Sequence, residues 1–150
     1  MKIDIDPTVD CVFKALLGSE ENKSLLIHFL NAVMDLPNGE RIKEVHLLNP
    51  VNEKRHQQDK LTVVDVKAID ESGNIYQVDV QRQLHAAIEE RMGHNWATIL
   101  GGQLIEGEDF SEVRPVVSIW LMGQPLFPTL PANLHRLRLS DSQTGAIILA

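Results

Sequence analysis

Apolar and polar positions recur with two different periods along this chain, and the switch between them outlines the fold. Val9, Val12, Phe13, Leu16 and Leu17 recur at helical spacing. Asp6-Pro7 introduces them as N-cap and first helical residue, and Gly18 closes them as a C′ residue. A second helix is predicted from Ser19, with Leu25, Leu26, Phe29, Leu30, Val33 and Met34 on one face and Pro37-Asn38-Gly39 as the stop. The two make an N-terminal helical hairpin whose apolar side needs another layer.

The period then becomes two. Residues 42–48 are a short strand candidate ended by Asn49-Pro50. Residues 61–69 and 75–81 are rich in β-branched side chains and flank the turn cluster Asp70-Glu71-Ser72-Gly73-Asn74. Helical spacing returns from about residue 85 to 105, where Ile88, Met92, Trp96, Ile99 and Leu100 mark one face. Residues 116–121 form a nearly continuous apolar run, as expected of a strand buried on both faces. Residues 134–139 and 146–149 are weaker strand candidates. There is no internal repeat and no long linker, so residues 1–150 read as one domain of the α/β (α+β) class, a central mixed β-sheet flanked by helices.

Composition narrows the class. A chain 43% hydrophobic and 23% charged is neither disordered nor low in complexity. With 14 basic and 21 acidic residues the net charge is −7, which argues against holding a phosphate backbone by bulk charge alone. The single cysteine, Cys11, excludes a disulfide framework and a thiolate zinc site and reads as a small core residue. No apolar run approaches the ~20 residues of a membrane span, and Met1-Lys2-Ile3-Asp4 is too polar for a signal peptide, so a soluble cytoplasmic protein without membrane partners is expected. Lys54, Arg55, Lys60 and Lys67 crowd one stretch with His56, which alone reads as a solvated loop face. His28 reads as boundary packing, Trp96 as core, and Gly101-Gly102 as a site of close helix packing or a bend. His85 and His94 are too far apart to form a zinc pair on one helical turn.

The hairpin over residues 61–81 carries the chemistry. Glu71-Ser72-Gly73 suits a three-residue loop with Gly73 in the left-handed region as a bulge. That loop sets the register: Asp65 opposite Asp79, Lys67 opposite Gln77, Val63 opposite Gln81. Alternation then puts Asp65, Lys67, Gln77, Asp79 and Gln81 on one face and Val64, Val66, Ala68, Tyr76, Val78 and Val80 on the core face. Carboxylates directly opposed on a sheet repel, and aspartate is disfavoured in strands. A proton on one of them or a divalent cation between them relieves the conflict. A metal site and a solvated polar face neutralised by nearby cations both satisfy the pattern.

Asp65 followed by Asp79-Val80-Gln81 on the next strand resembles the split signature of the PD-(D/E)XK nuclease superfamily. More narrowly it resembles the recombination-promoting nuclease/transposase branch, in which glutamine commonly replaces the terminal lysine. Asp10-Cys11-Val12-Phe13-Lys14, Phe29-Leu30-Asn31, Lys60, Arg91, Gln103-Leu104, Gly107 and the apolar strand ending near Trp120 extend the resemblance over residues 6–128. Two positions depart from it: the family usually has glutamate where Asp79 stands, and paired tyrosines where Asn95-Trp96 stand. Its members are also usually longer, so a domain shortened at its C-terminus is expected, as a fragment or a decayed gene copy would be.

The resemblance implies a restriction-endonuclease-like core and metal-dependent endonucleolytic hydrolysis of DNA phosphodiesters, associated with recombination or transposition. It implies Asp65, Asp79 and the Val80 carbonyl as ligands of Mg²⁺, with Mn²⁺ a substitute. Gln81 would orient water and Asp10 would be the first-helix acid. Lys14, Lys60 and Lys67 would face the substrate. DNA and a divalent metal are the implied partners, and a homodimer is left open. The alternative is a catalytically inactive remnant of the same fold serving as a DNA-binding or protein-interaction module.

Overall fold

The computed structural model describes Asp6, residues 9–52 and residues 61–148. Helix α1 spans Asp10–Leu17, with Asp10 in the first turn, where a negative charge complements the helix dipole. Phe13 and Leu17, one turn apart, are its buried residues. The helix begins at Val9 as N-cap, later than Asp6-Pro7 suggests, and Pro7 lies outside the described residues. Gly18 ends it with φ −100°, outside the left-handed region expected of a C′ glycine, and its N–H donates to the Lys14 carbonyl (2.8 Å). Cys11 is exposed rather than buried in the core.

A short 3₁₀ turn over Glu20–Asn22 delays the second helix, α2, to Lys23–Met34. Leu26 and Leu30 are fully buried one turn apart, whereas Leu25 and His28 are exposed. The buried Asn31 amide brackets the backbone of one residue: Nδ2 donates to the Ile42 carbonyl and the Ile42 N–H donates to Oδ1, both at 2.9 Å. That pair pins the approach to the sheet onto α2. The helix ends at Asp35 in the left-handed conformation (φ 53°), ahead of Pro37-Asn38-Gly39.

The main sheet has four strands in the order β1-β4-β5-β6: Val45–Leu47, Val66–Asp70, Ile75–Gln81 and Val116–Met122. β1, β4 and β5 are antiparallel neighbours, and β6 joins β5 in parallel after a crossover through helix α3, Ile88–Gly101. The sheet is therefore mixed and flanked by helices, as the pattern predicts. A separate two-stranded sheet pairs β2 (Val51–Asn52) with β3 (Thr62–Val63).

The core lies between α1, α2 and one face of the sheet. Phe13, Leu17, Leu26 and Leu30 meet Val45, Val66, Ala68, Tyr76, Val78 and Ile119 in one buried cluster. The hairpin register is the predicted one where the ladder runs, from Val66–Val78 through Lys67–Gln77 to Ile69–Ile75. Gly73 is left-handed (φ 87°) and the Asp70 N–H donates the closing bond to the Asn74 carbonyl (3.0 Å). Asp70 also accepts the Ser72 and Asn74 N–H groups and the Tyr76 hydroxyl, fastening the turn.

Elsewhere the expectations change. The chain over residues 61–69 is not one strand: it breaks at Val64-Asp65, and Val63 pairs with Val51 instead of facing Gln81. The second face of β5 is not solvated, since Gln77 is 0% and Asp79 2% exposed. α3 is shorter than residues 85–105, and Gly101-Gly102 simply end it. β6 is an edge strand, mostly half-buried, not a strand buried on both faces. Residues 134–139 form no strand, and 146–149 contribute one isolated bridge, Ser140–Ile147, with Leu149 outside the described residues.

Candidate functional site

The break before β4 positions the first acid. The last ladder pair is Val66–Val78, so Asp65 lies one residue beyond it rather than in a regular pair with Asp79. Its side chain takes over the role of the missing strand partner: Oδ2 accepts the Val80 N–H at 2.8 Å. Ile75 N–H donates to the Pro115 carbonyl and Gly123 N–H to the Gln81 carbonyl. Odd-numbered residues of β5 therefore bond toward β6, and even-numbered ones turn toward β4. The Val80 carbonyl consequently faces the side on which Asp65 stands.

Helix α1 brings two more groups to this point. Lys14 Nζ lies 3.0 Å from Asp10 Oδ1 and 3.4 Å from Asp65 Oδ1, so one ammonium joins both carboxylates. Lys14 holds the Asp10 carboxyl below the usual carboxylate range, and the Asp65 side chain lies within hydrogen-bonding reach of it. Asp65 is pushed the other way by burial, against the opposing effects of the Val80 N–H and Lys14. The two carboxylates pull the Lys14 ammonium upward, which keeps it charged.

Asp79 sits deeper and is 2% exposed. Burial pushes its carboxyl up to about 6, opposed by Gln77, whose Nε2 donates to Oδ2 at 2.6 Å, and by Arg91 and the Asp65 N–H; the Asp65 charge adds to the upward push. Breaking the ladder at Asp65 and raising the Asp79 carboxyl together relieve the repulsion that the sequence places here. Gln81 is committed at both ends: Nε2 donates to the Gln83 carbonyl (2.7 Å), and Oε1 accepts from Arg91 Nη1 (3.3 Å).

Asp10, Lys14, Asp65, Asp79, Val80 and Gln81 thus converge on one end of the hairpin. Lys67 does not turn toward them: its Nζ donates to Asn52 Oδ1 (3.1 Å), and it lines a cavity of about 800 Å³ with Ile75, Thr98 and Ile99. Lys60, with Lys54, Arg55 and His56, lies outside the described residues. Sequence reasoning left four neighbours out of the site. Gln77 was on the right face by alternation, but nothing marked it as the buried partner of Asp79. Arg91 and Trp120 enter through the parallel pairing of β5 with β6, where Asp79 faces Trp120, and no turn in the sequence sets that register. Asn95, at a position where tyrosine was expected, is buried with neither amide atom hydrogen-bonded among the described residues.

Two carboxylates whose charged forms burial disfavours, beside a backbone carbonyl, are a hard-oxygen donor set suited to a small divalent cation. Among the described residues no group of three His, Cys, Asp or Glu converges as a metal cage.

No helix among the described residues is long and apolar enough to cross a membrane. No curated protein and no solved structure gives a significant match to the chain. A family model described as PD-(D/E)XK nuclease family transposase matches residues 7–149. With the mixed sheet, its flanking helices and the split Asp65/Asp79-Val80-Gln81 arrangement, that match establishes that the chain belongs to the PD-(D/E)XK nuclease family transposases and has their restriction-endonuclease-like fold.

Proposed function

We propose that this protein is a Mg²⁺-dependent endonuclease that hydrolyses DNA phosphodiesters in recombination or transposition, acting in the cytoplasm as a single domain. The observation that carries the reading is the meeting of the Asp65 and Asp79 carboxylates at the broken end of the β4–β5 ladder, with Lys14 paired to Asp65. Asp65, Asp79 and the Val80 carbonyl would hold the cation, with Mn²⁺ as a substitute. A cation held there would supply polarisation of the scissile phosphate and acidification of an attacking water.

The chain's own residues do the rest. Lys14 opposes the protonation of Asp65 that burial favours and offers an ammonium proton to a phosphate oxygen. Asp10 shares that lysine, so it sets how much of the positive charge reaches the substrate. Gln77 fixes the rotamer of Asp79 by holding one carboxylate oxygen.

Plasmid DNA incubated with the protein and Mg²⁺ should be nicked. Asp65→Asn, which keeps an acceptor for the Val80 N–H, and Asp79→Asn should each lower the rate by at least about a hundredfold. Equal nicking by parent and variants, or none by any, overturns the reading. Calorimetric titration separates the remnant alternative: a remnant binds neither Mg²⁺ nor Mn²⁺ in a manner that depends on Asp79.

A further inference from the structure

The face that carries Asp79 holds a cation that the ligand set does not use. Arg91 projects from the first turn of α3, and its Cζ lies 5.4 Å from the centre of the Trp120 ring. Its Nη1 donates to Gln81 Oε1 at 3.3 Å. Trp120 pairs in register with Asp79, and Gln81 lies two residues farther along the same face of β5. The guanidinium is therefore fixed beside the carboxylates from two sides, by an aromatic surface below and an amide at its edge.

Its charge acts on the nearby Asp79 carboxyl but is not tied up in a close ion pair among the described residues. Lys14 is divided between two carboxylates at 3.0 and 3.4 Å, whereas Arg91 is exposed and forms no ion pair among the described residues. A guanidinium has five N–H donors in a rigid fork that matches a phosphate, and one of them is used here. Gln81, in turn, has its carbonyl end on Arg91 and its amide end on the Gln83 carbonyl, so the hydrogen bonds it makes are to the protein.

We propose that Arg91, seated on Trp120 and held by Gln81, is a second cation, beside Lys14, that contacts the DNA phosphate backbone at this site, and that Gln81 is a positioning residue for Arg91. This rests on the nuclease reading above and assigns Gln81 a role other than orienting the attacking water. An uncharged glutamine then serves where the superfamily's signature has a lysine, because the positive charge arrives from α3.

The test uses the full chain carrying Asp79→Asn, in EDTA, so that binding is read without cleavage. A fluorescein-labelled duplex oligonucleotide is titrated by anisotropy at several salt concentrations. Arg91→Gln should weaken binding about tenfold and reduce the salt slope by about one. Arg91→Lys, which keeps the charge and tests folding, should retain the slope and lose only part of the affinity. Gln81→Ala should weaken binding about threefold with the slope unchanged, and should add nothing once Arg91→Gln is present. Parent-like affinity and slope in Arg91→Gln overturn the assignment and leave the nuclease reading standing. No binding by the Asp79→Asn chain overturns both. An additive effect of Gln81→Ala overturns the positioning role.

Discussion

Burial pushes the Asp79 carboxyl to about 6 from an ordinary value of 3.8, while Gln77, Arg91 and the Asp65 N–H pull it down. The native state therefore binds this proton more tightly than the unfolded chain does. Stability is fully present below the unfolded value and is lost as pH rises from about 4 to about 6, after which the slope vanishes. A shift of this size corresponds to on the order of 3 kcal/mol. In metal-free protein, urea midpoints measured across that window should fall with pH, and Asp79→Asn should flatten the profile; an unchanged slope in Asp79→Asn would show that the proton sits elsewhere. The pattern of residues told where Asp79 points but not what covers it. Period-2 alternation separates the faces of a strand and is blind to a second layer, so it left a metal site and a solvated face both open, and the burial of Gln77 and Asp79 removes the solvated one. Leu25 was misplaced for the complementary reason: helical spacing names a face without stating how far the packed stripe extends around it.

At the scale of elements, the hairpin was legible because one left-handed glycine and alternation suffice to set a local register. The break at Val64-Asp65 was not, because residues 61–69 contain no glycine or proline to announce it. It is imposed from outside, by β2 claiming Thr62 and Val63 and by the Asp65 side chain replacing a ladder bond. Two backbone positions beside the site bear the cost of this geometry. Ala87, the N-cap of α3, is left-handed at φ 77°, a conformation alanine adopts reluctantly. Gly123, just past β6, lies so close to the chain at Arg82 that an added Cβ would stand 2.5 Å from the Arg82 carbonyl oxygen. Its N–H also closes the ladder on the Gln81 carbonyl. Gly123→Ala should therefore destabilise the fold by about 1–3 kcal/mol, since the obstruction is backbone and cannot rotate away. A urea midpoint equal to the parent's would contradict that close approach.

For the whole molecule, the net charge of −7 takes on a different meaning once part of it is gathered at one end of a hairpin. A cation bound only by the native state raises stability by about 2.7 kcal/mol at a hundred times its dissociation constant. Mg²⁺ or Mn²⁺ should thus raise the melting temperature by several degrees, and Asp79→Asn should abolish the rise; an equal rise in Asp79→Asn would reduce it to general screening of an acidic surface. The parallel joining of β6 to β5 also orders events in time. The carboxylate end of the hairpin is tied by pairs such as Val66–Val78, close together in the chain, whereas Asp79 meets Trp120 only after the loop through α3 has closed. Local contacts form ahead of distant ones because less chain entropy is lost in making them. During folding the two acids would then come together first, and the arginine and tryptophan beside them would arrive with the last strand.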